Sequence, residues 1–257
     1  MRNLDKNFYE LNTLGFTIVE KAVPREQLPA IKEHLRKAMS LDNERYLGRP
    51  QKHKYLVDNL AAYGRPFLEL VDNDTIQEVF GEFLGETCIL YSYTSTILPP
   101  NEHVPASDMH VDTPRLIPNY WSAMVMTVAL DDFTAANGAS WYLPGSHTCE
   151  TRPSDEMFAK YAVQVSRGAG DVLFFNPRVF HKAGVNTTTE IRYALGCYAV
   201  RSFMKPRFDF ARMIPMSELG WASERLQRFL GHHTRVPTDM DDYYVAAEKR
   251  LYRANQG

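Results

Sequence analysis

Met109-His110-Val111-Asp112-Thr113-Pro114 sets a histidine and an aspartate two residues apart. In an extended segment side chains alternate with period two, so this imidazole and carboxylate point to one side and can close on a single ion. His-x-Asp alone occurs by chance in many loops. It gains weight from Phe174-Phe175-Asn176-Pro177-Arg178-Val179-Phe180-His181, where a second histidine ends an apolar run that follows a Gly168-Ala169-Gly170-Asp171 turn. Two histidines and one carboxylate, with the remaining positions open, form the ligand set of non-haem iron(II) centres.

Outward from these motifs the chain reads as β-rich. Thr87 to Leu98 is full of β-branched and tyrosine residues and stops at Pro99-Pro100, while Ser122 to Leu130 is almost unbroken apolar, as a strand covered on both faces would be. Asn137-Gly138 is a strong hairpin signal, leading into Ser140-Trp141-Tyr142-Leu143 and a Pro144-Gly145-Ser146-His147 turn. Asp171 to Phe175 and Ile191 to Phe203 supply further strands. Before this region, a short helical stretch from Lys6 to Asn12 precedes a strand at Gly15 to Glu20. A helix from Pro24 to Ser40 follows, with Leu28, Ile31, Leu35 and Met39 on one face and His34 at its boundary.

A second helix opens on Thr75-Ile76-Gln77-Glu78, read as a capping box, and carries Ile76, Val79, Phe80, Phe83 and Leu84 to a stop at Gly85. Between the two helices, Asn43 to Pro66 is polar and broken by Gly48, Pro50, His53, Gly64 and Pro66. Such a stretch is either a lid or a surface crossing. From Pro206 onward, Met213, Ile214, Leu219, Trp221, Leu226 and Phe229 predict irregular and helical packing on the core. The pattern predicts a mainly β chain with flanking helices: a sandwich or jelly roll under an N-terminal helical layer. One domain over 1–257, with its core at about 87–203, is expected.

Composition narrows the partners. The 257 residues are 44% hydrophobic with a net charge of -2 and mixed signs throughout, which supports a sizeable core and offers no basic patch for nucleic acid. Cys88, Cys149 and Cys197 are odd in number and far apart, so core thiols in a reducing compartment are expected rather than a disulfide framework. Neither an export or transit signal nor a membrane-length apolar run is visible, and a cytoplasmic location is expected. A small-molecule substrate fits this profile; oligomeric state has no signature in the sequence.

If Gly184-Val185-Asn186-Thr187-Thr188 is a hairpin turn centred between Asn186 and Thr187, His181 and Arg192 lie directly opposite on one face. Arg192 would then present a planar two-donor fork to a carboxylate beside the metal. His110-x-Asp112, the run Asn137-Gly138-Ala139-Ser140-Trp141-Tyr142-Leu143-Pro144-Gly145-Ser146-His147, and Gly170-Asp171-Val172-Leu173-Phe174-Phe175 followed by His181 and Arg192 resemble the phytanoyl-CoA dioxygenase family of iron(II)- and 2-oxoglutarate-dependent oxygenases. With Gly15-Phe16-Thr17-Ile18-Val19 ahead of a helix, the resemblance covers roughly the first 200 residues.

The resemblance implies a double-stranded β-helix (jelly roll, cupin-like) with iron(II) on His110, Asp112 and His181 and the distal carboxylate of 2-oxoglutarate on Arg192. It also implies a small polar side chain against the co-substrate, for which Thr96 and Thr127 are the candidates, though either hydroxyl could instead satisfy a neighbouring backbone group. Related halogenases replace the iron carboxylate by a small residue, so Asp112 favours hydroxylation. The resemblance further implies that dioxygen is consumed and that succinate and carbon dioxide are released, with ascorbate as reductant in vitro. Desaturation, epoxidation or ring formation would use the same ligands, and a non-catalytic jelly-roll binding module is the rival class.

His103, Arg115, Trp141 and Arg178 are the candidates for substrate contact, with Tyr142 helping Trp141 to exclude solvent. His147 belongs to a structural corner in the family, and His232-His233 reads as a solvated turn.

Overall fold

The computed structural model describes residues 3–46, 48, 50 and 54–253. Its N-terminal third is helical apart from one strand: α1 (Asp5–Thr13), β1 (Phe16–Val19), α2 (Leu28–Arg45), α3 (Arg65–Val71) and α4 (Asp74–Leu84). Then come β2 (Ile89–Ser95), β3 (Ala123–Ala129), β4 (Trp141–Tyr142), α5 (Asp155–Tyr161), β5 (Val163–Gln164), β6 (Val172–Phe175), β7 (His181–Lys182) and β8 (Ala194–Val200). Short helices α6 (Phe210–Met213), α7 (Glu224–Phe229) and α8 (Met240–Tyr243) follow.

The strands form two antiparallel sheets, one in the order β1-β6-β3-β8-β2 and the other β5-β4-β7. β3, at the centre of the larger sheet, explains the unbroken apolar run. Met124, Met126 and Val128 join the core under the helices, while Val125 packs with Phe16, Tyr142, Leu173 and Phe175 between the sheets. A strand covered on both faces has no solvent side on which to place polar residues. Helices on the outer face of a two-sheet β core reproduce the predicted jelly roll with its helical layer.

α4 fastens that layer. Asn73 caps it, its Oδ1 accepting from the Ile76 amide at 3.2 Å, and Gly85 ends it at φ 82°. The cap therefore lies upstream of the expected capping box, because Thr75 already sits inside the first turn. Phe80 packs edge-on against Phe174 of β6 and stacks on Phe229 of α7, tying the C-terminal segment to the same core.

Several local readings need correction. α2 runs on to Arg45, and α3 begins where Pro66 suggested a break, since proline suits the first turn of a helix. Helix also recurs after β4, as α5. Cys149 and Met213 are exposed, whereas His232 and His233 are buried. His53 lies outside the described residues.

Asn137-Gly138 is not a hairpin turn. β3 and β4 belong to different sheets, and Asn137 shapes the crossing by accepting from the Thr134 amide and donating to the Asp132 carbonyl. The segment Gly184–Thr188 crosses between sheets as well. Asn186 donates to the carbonyls of Leu98 and Glu190, so His181 pairs with Tyr142 and His110 while Arg192 pairs with Leu98. The predicted register between His181 and Arg192 is therefore wrong. No helix among the described residues is long and apolar enough to cross a membrane.

Candidate active site

His110 and His181 exchange both backbone hydrogen bonds, each at 3.0 Å, which sets their side chains on one face. The Asp112 amide is held by the Pro177 carbonyl at 2.8 Å, so the loop carrying the aspartate is pinned to the turn between β6 and β7 that leads into His181. Each imidazole is oriented by its Nδ1, against Asp108 O at 2.8 Å for His110 and Val179 O at 3.0 Å for His181. A carbonyl can only accept, so each ring donates through Nδ1 and leaves Nε2 facing Asp112, where a metal ligand would be presented.

Those nitrogens stand 3.7 and 3.8 Å from the two carboxylate oxygens, and one donor atom from each of the three residues lies within 4.8 Å of the others. Such gaps exceed a hydrogen bond, so the carboxylate is not simply bonded to the imidazoles, and the donor set fits a divalent ion between them. Burial lowers the pKa of His181, which keeps its ring in the neutral form that ligates. Tyr142 stacks parallel to that ring, 7° between planes, and burial raises its phenol to about 12.

The three donors open into a cavity of about 620 Å³ between the sheets. Its walls include Val125, Tyr142 and Phe175, and also Thr96, Thr127 and Arg192. Arg192 is buried, donates through Nη1 to the Gly138 carbonyl, and lies 3.9 Å from the Phe133 ring centre; its Nε has no partner among the described residues. Burial first, and the neighbouring Arg167 second, depress its pKa to about 9. The arginine thus reaches the cavity from the other sheet, not across a hairpin from His181. Thr96 Oγ1 is buried with no partner among the described residues, whereas Thr127 Oγ1 accepts from Arg167 Nη2 at 2.9 Å.

The expected substrate contacts fare differently. Arg178 donates to the carbonyls of Pro114 and Cys149 at 3.0 and 2.6 Å, which ties the His110-x-Asp112 loop to the Pro-Gly-Ser corner and leaves it outside the cavity lining. Arg115 is exposed, His103 sits at the surface beside Asp108, and Trp141 packs with Leu143 and Phe158; none of the three lines the cavity. His147 is buried against Gly15, whose missing Cβ makes room for its ring. Tyr55, Leu56 and Asp58, from the polar stretch read as a lid or crossing, do line the cavity, and Asp58 pairs with Arg207 at 3.2 Å.

Sequence reading overlooked Phe133 and Arg167. Val165 and Arg167 are buried on either side of exposed Ser166, an alternation that the structure reveals and a polar arginine does not announce.

A profile of the family described as Phytanoyl-CoA dioxygenase (PhyH) matches residues 11–194. The chain belongs to the phytanoyl-CoA dioxygenase family. Among its relatives, the uncharacterized protein Rv1501 of Mycobacterium tuberculosis is 29% identical over 267 residues, 99% of this chain and 96% of its own. Dioxygenase ALT11 of Alternaria alternata is 26% identical over 83% of this chain and 74% of its own. Two solved structures show the same fold. HygX from Streptomyces hygroscopicus, with nickel and 2-oxoglutarate bound, has TM-score 0.65 at 16% identity, covering 78% of this chain and 88% of its own. The alpha-ketoglutarate-dependent carbocyclase SnoK from nogalamycin biosynthesis has 0.63 at 19%, covering 76% and 83%. In this member of the phytanoyl-CoA dioxygenase family, the matched segment spans β1 to the start of β8, and so includes His110, Asp112, His181 and Arg192.

Proposed function

We propose that this chain is an iron(II)- and 2-oxoglutarate-dependent oxygenase that hydroxylates an unactivated C–H bond of a small metabolite or natural-product intermediate. The observation that carries the reading is the pairing of two Nδ1-anchored imidazoles and a carboxylate with a buried arginine that has no counterion among the described residues, all in one cavity. His110, Asp112 and His181 would hold the metal, and Arg192 the distal carboxylate of 2-oxoglutarate. Thr96, with its unpartnered hydroxyl, is the better candidate than Thr127 for a further polar contact.

Iron(II) with 2-oxoglutarate and dioxygen supplies the oxidising power, ending in succinate, carbon dioxide and oxidised substrate. The protein's part is orientation and exclusion of water. Tyr142 stacked on His181 fixes the ring plane, and Val125 and Phe175 keep the wall apolar. A cavity of about 620 Å³ suits a small molecule in addition to the co-substrate. HygX holds nickel and 2-oxoglutarate and SnoK is a carbocyclase of nogalamycin biosynthesis, which supports the same reading. Purified protein with iron(II), ascorbate and 2-oxoglutarate is expected to release succinate and carbon dioxide, faster when a substrate from a metabolite panel is present. Absence of turnover in protein shown to hold one iron per chain would refute the reading.

A further inference from the structure

Arg167 has no part in the roles assigned so far, yet it lies in the same cavity as Arg192. Its backbone pairs with Phe133, at 2.7 and 3.0 Å, so its side chain runs alongside that ring, 3.7 Å from the ring centre to the guanidinium carbon. Arg192 reaches the same ring at 3.9 Å. Two guanidinium groups that close can only occupy opposite faces, so Phe133 is a spacer between two cations.

Both arginines are more than nine-tenths buried. Arg167 spends one nitrogen on Thr127 Oγ1, but among the described residues its Nε and Nη1 have no partner, nor has Arg192 Nε. Among the described residues neither guanidinium forms an ion pair. A buried charge without a counterion is strongly unfavourable, and two adjacent ones are more so, so the pair marks a site built for an anion. Burial depresses Arg167 to about 10, in keeping with a cation that lacks its partner.

We propose that Arg167 and Arg192 together grip the distal carboxylate of the 2-oxo acid, with Thr127 aligning Arg167, so that this cavity selects a dicarboxylic over a monocarboxylic 2-oxo acid. The proposal rests on the reading of the cavity as a 2-oxoglutarate site. Planar forks on the two faces of one ring can offer donors to both oxygens of one carboxylate, which a single arginine already engaged by the Gly138 carbonyl does less completely.

The test is an anaerobic titration of the iron(II)-loaded protein with 2-oxoglutarate and, separately, with 2-oxopentanoate, which lacks the second carboxylate, followed by the visible absorption of the chelate. Arg167→Met is expected to raise the dissociation constant for 2-oxoglutarate roughly ten- to a hundredfold while shifting that for 2-oxopentanoate by less than about threefold. Arg167→Lys, which keeps the charge, should recover part of the loss and decides the matter if the methionine variant does not retain iron. Unchanged 2-oxoglutarate affinity in both variants, beside a loss in Arg192→Lys, would overturn the second grip alone. Equal losses for the two acids would assign Arg167 a structural role and overturn it too. Failure of the wild-type protein to bind 2-oxoglutarate would instead remove the underlying reading of the site.

Discussion

Asp112 is held through its amide, and its side chain is 29% exposed in a loop, so its removal should leave the fold standing. Asp112→Gly is expected to abolish substrate oxidation and reduce iron occupancy with little change in melting temperature; undiminished oxidation by this variant would take Asp112 out of the metal site. Arg192→Lys tests the opposite end of the chemistry. Lysine keeps the charge but loses the planar fork, so 2-oxoglutarate should bind roughly ten- to a hundredfold more weakly, a loss of about 1.5–3 kcal/mol, with iron binding retained. Titration of the iron protein decides it, and loss of iron together with co-substrate would point to a structural role. Arg178 shows how local context misleads at this scale: an arginine close to a ligand histidine in sequence is committed to two carbonyls.

At the level of elements, the crossing between sheets is the sensitive point. Gly138 sits at φ 81°, and a Cβ there would come within 2.5 Å of Leu98 Cδ2 and 2.9 Å of the Gly184 carbonyl oxygen, while its own carbonyl receives Arg192. Gly138→Ala should therefore cost roughly 2 kcal/mol or more, lowering the melting temperature by roughly 4–8 °C, and should weaken 2-oxoglutarate binding as well. Wild-type melting and wild-type affinity together would show that the crossing relaxes freely. The cap of α4 offers a milder perturbation. Asn73→Ala removes the acceptor for the Ile76 amide and should cost about 1 kcal/mol without touching co-substrate affinity, as denaturant unfolding and the same titration would show.

For the whole molecule, acid sensitivity follows from histidines buried away from the metal site. Burial lowers the pKa of His147, His232 and His233, so in the folded state each resists the proton that the unfolded chain accepts near pH 6.5. Above that pH both states are neutral and these groups contribute nothing. As the pH falls through it the unfolded state binds protons first, and each histidine removes up to about 1.4 kcal/mol of stability per pH unit until its folded pKa is reached. Chemical unfolding between pH 7.5 and 5.5 should show stability falling below about 6.5, less steeply in His233→Gln. A flat profile would mean that the histidines are protonated without cost.

Much of this architecture was legible because it is local. Period two alone puts His110 and Asp112 on one side of the chain, helical spacing exposes the stripe of α4, and the missing alternation from Ser122 to Leu130 announces a strand covered twice. Those signals depend only on residues a few positions apart. Which sheet a strand joins after a turn depends instead on what the rest of the chain has already paired, and Asn137-Gly138 and Gly184–Thr188 specify bends without naming their partners. The tertiary structure alone decides that His181 faces His110 rather than Arg192, that Arg192 arrives from the other sheet, and that His232 and His233 are covered. It alone brings Arg167 to Phe133, because a polar side chain carries no sign in the sequence of the buried anion site that two distant segments create by meeting.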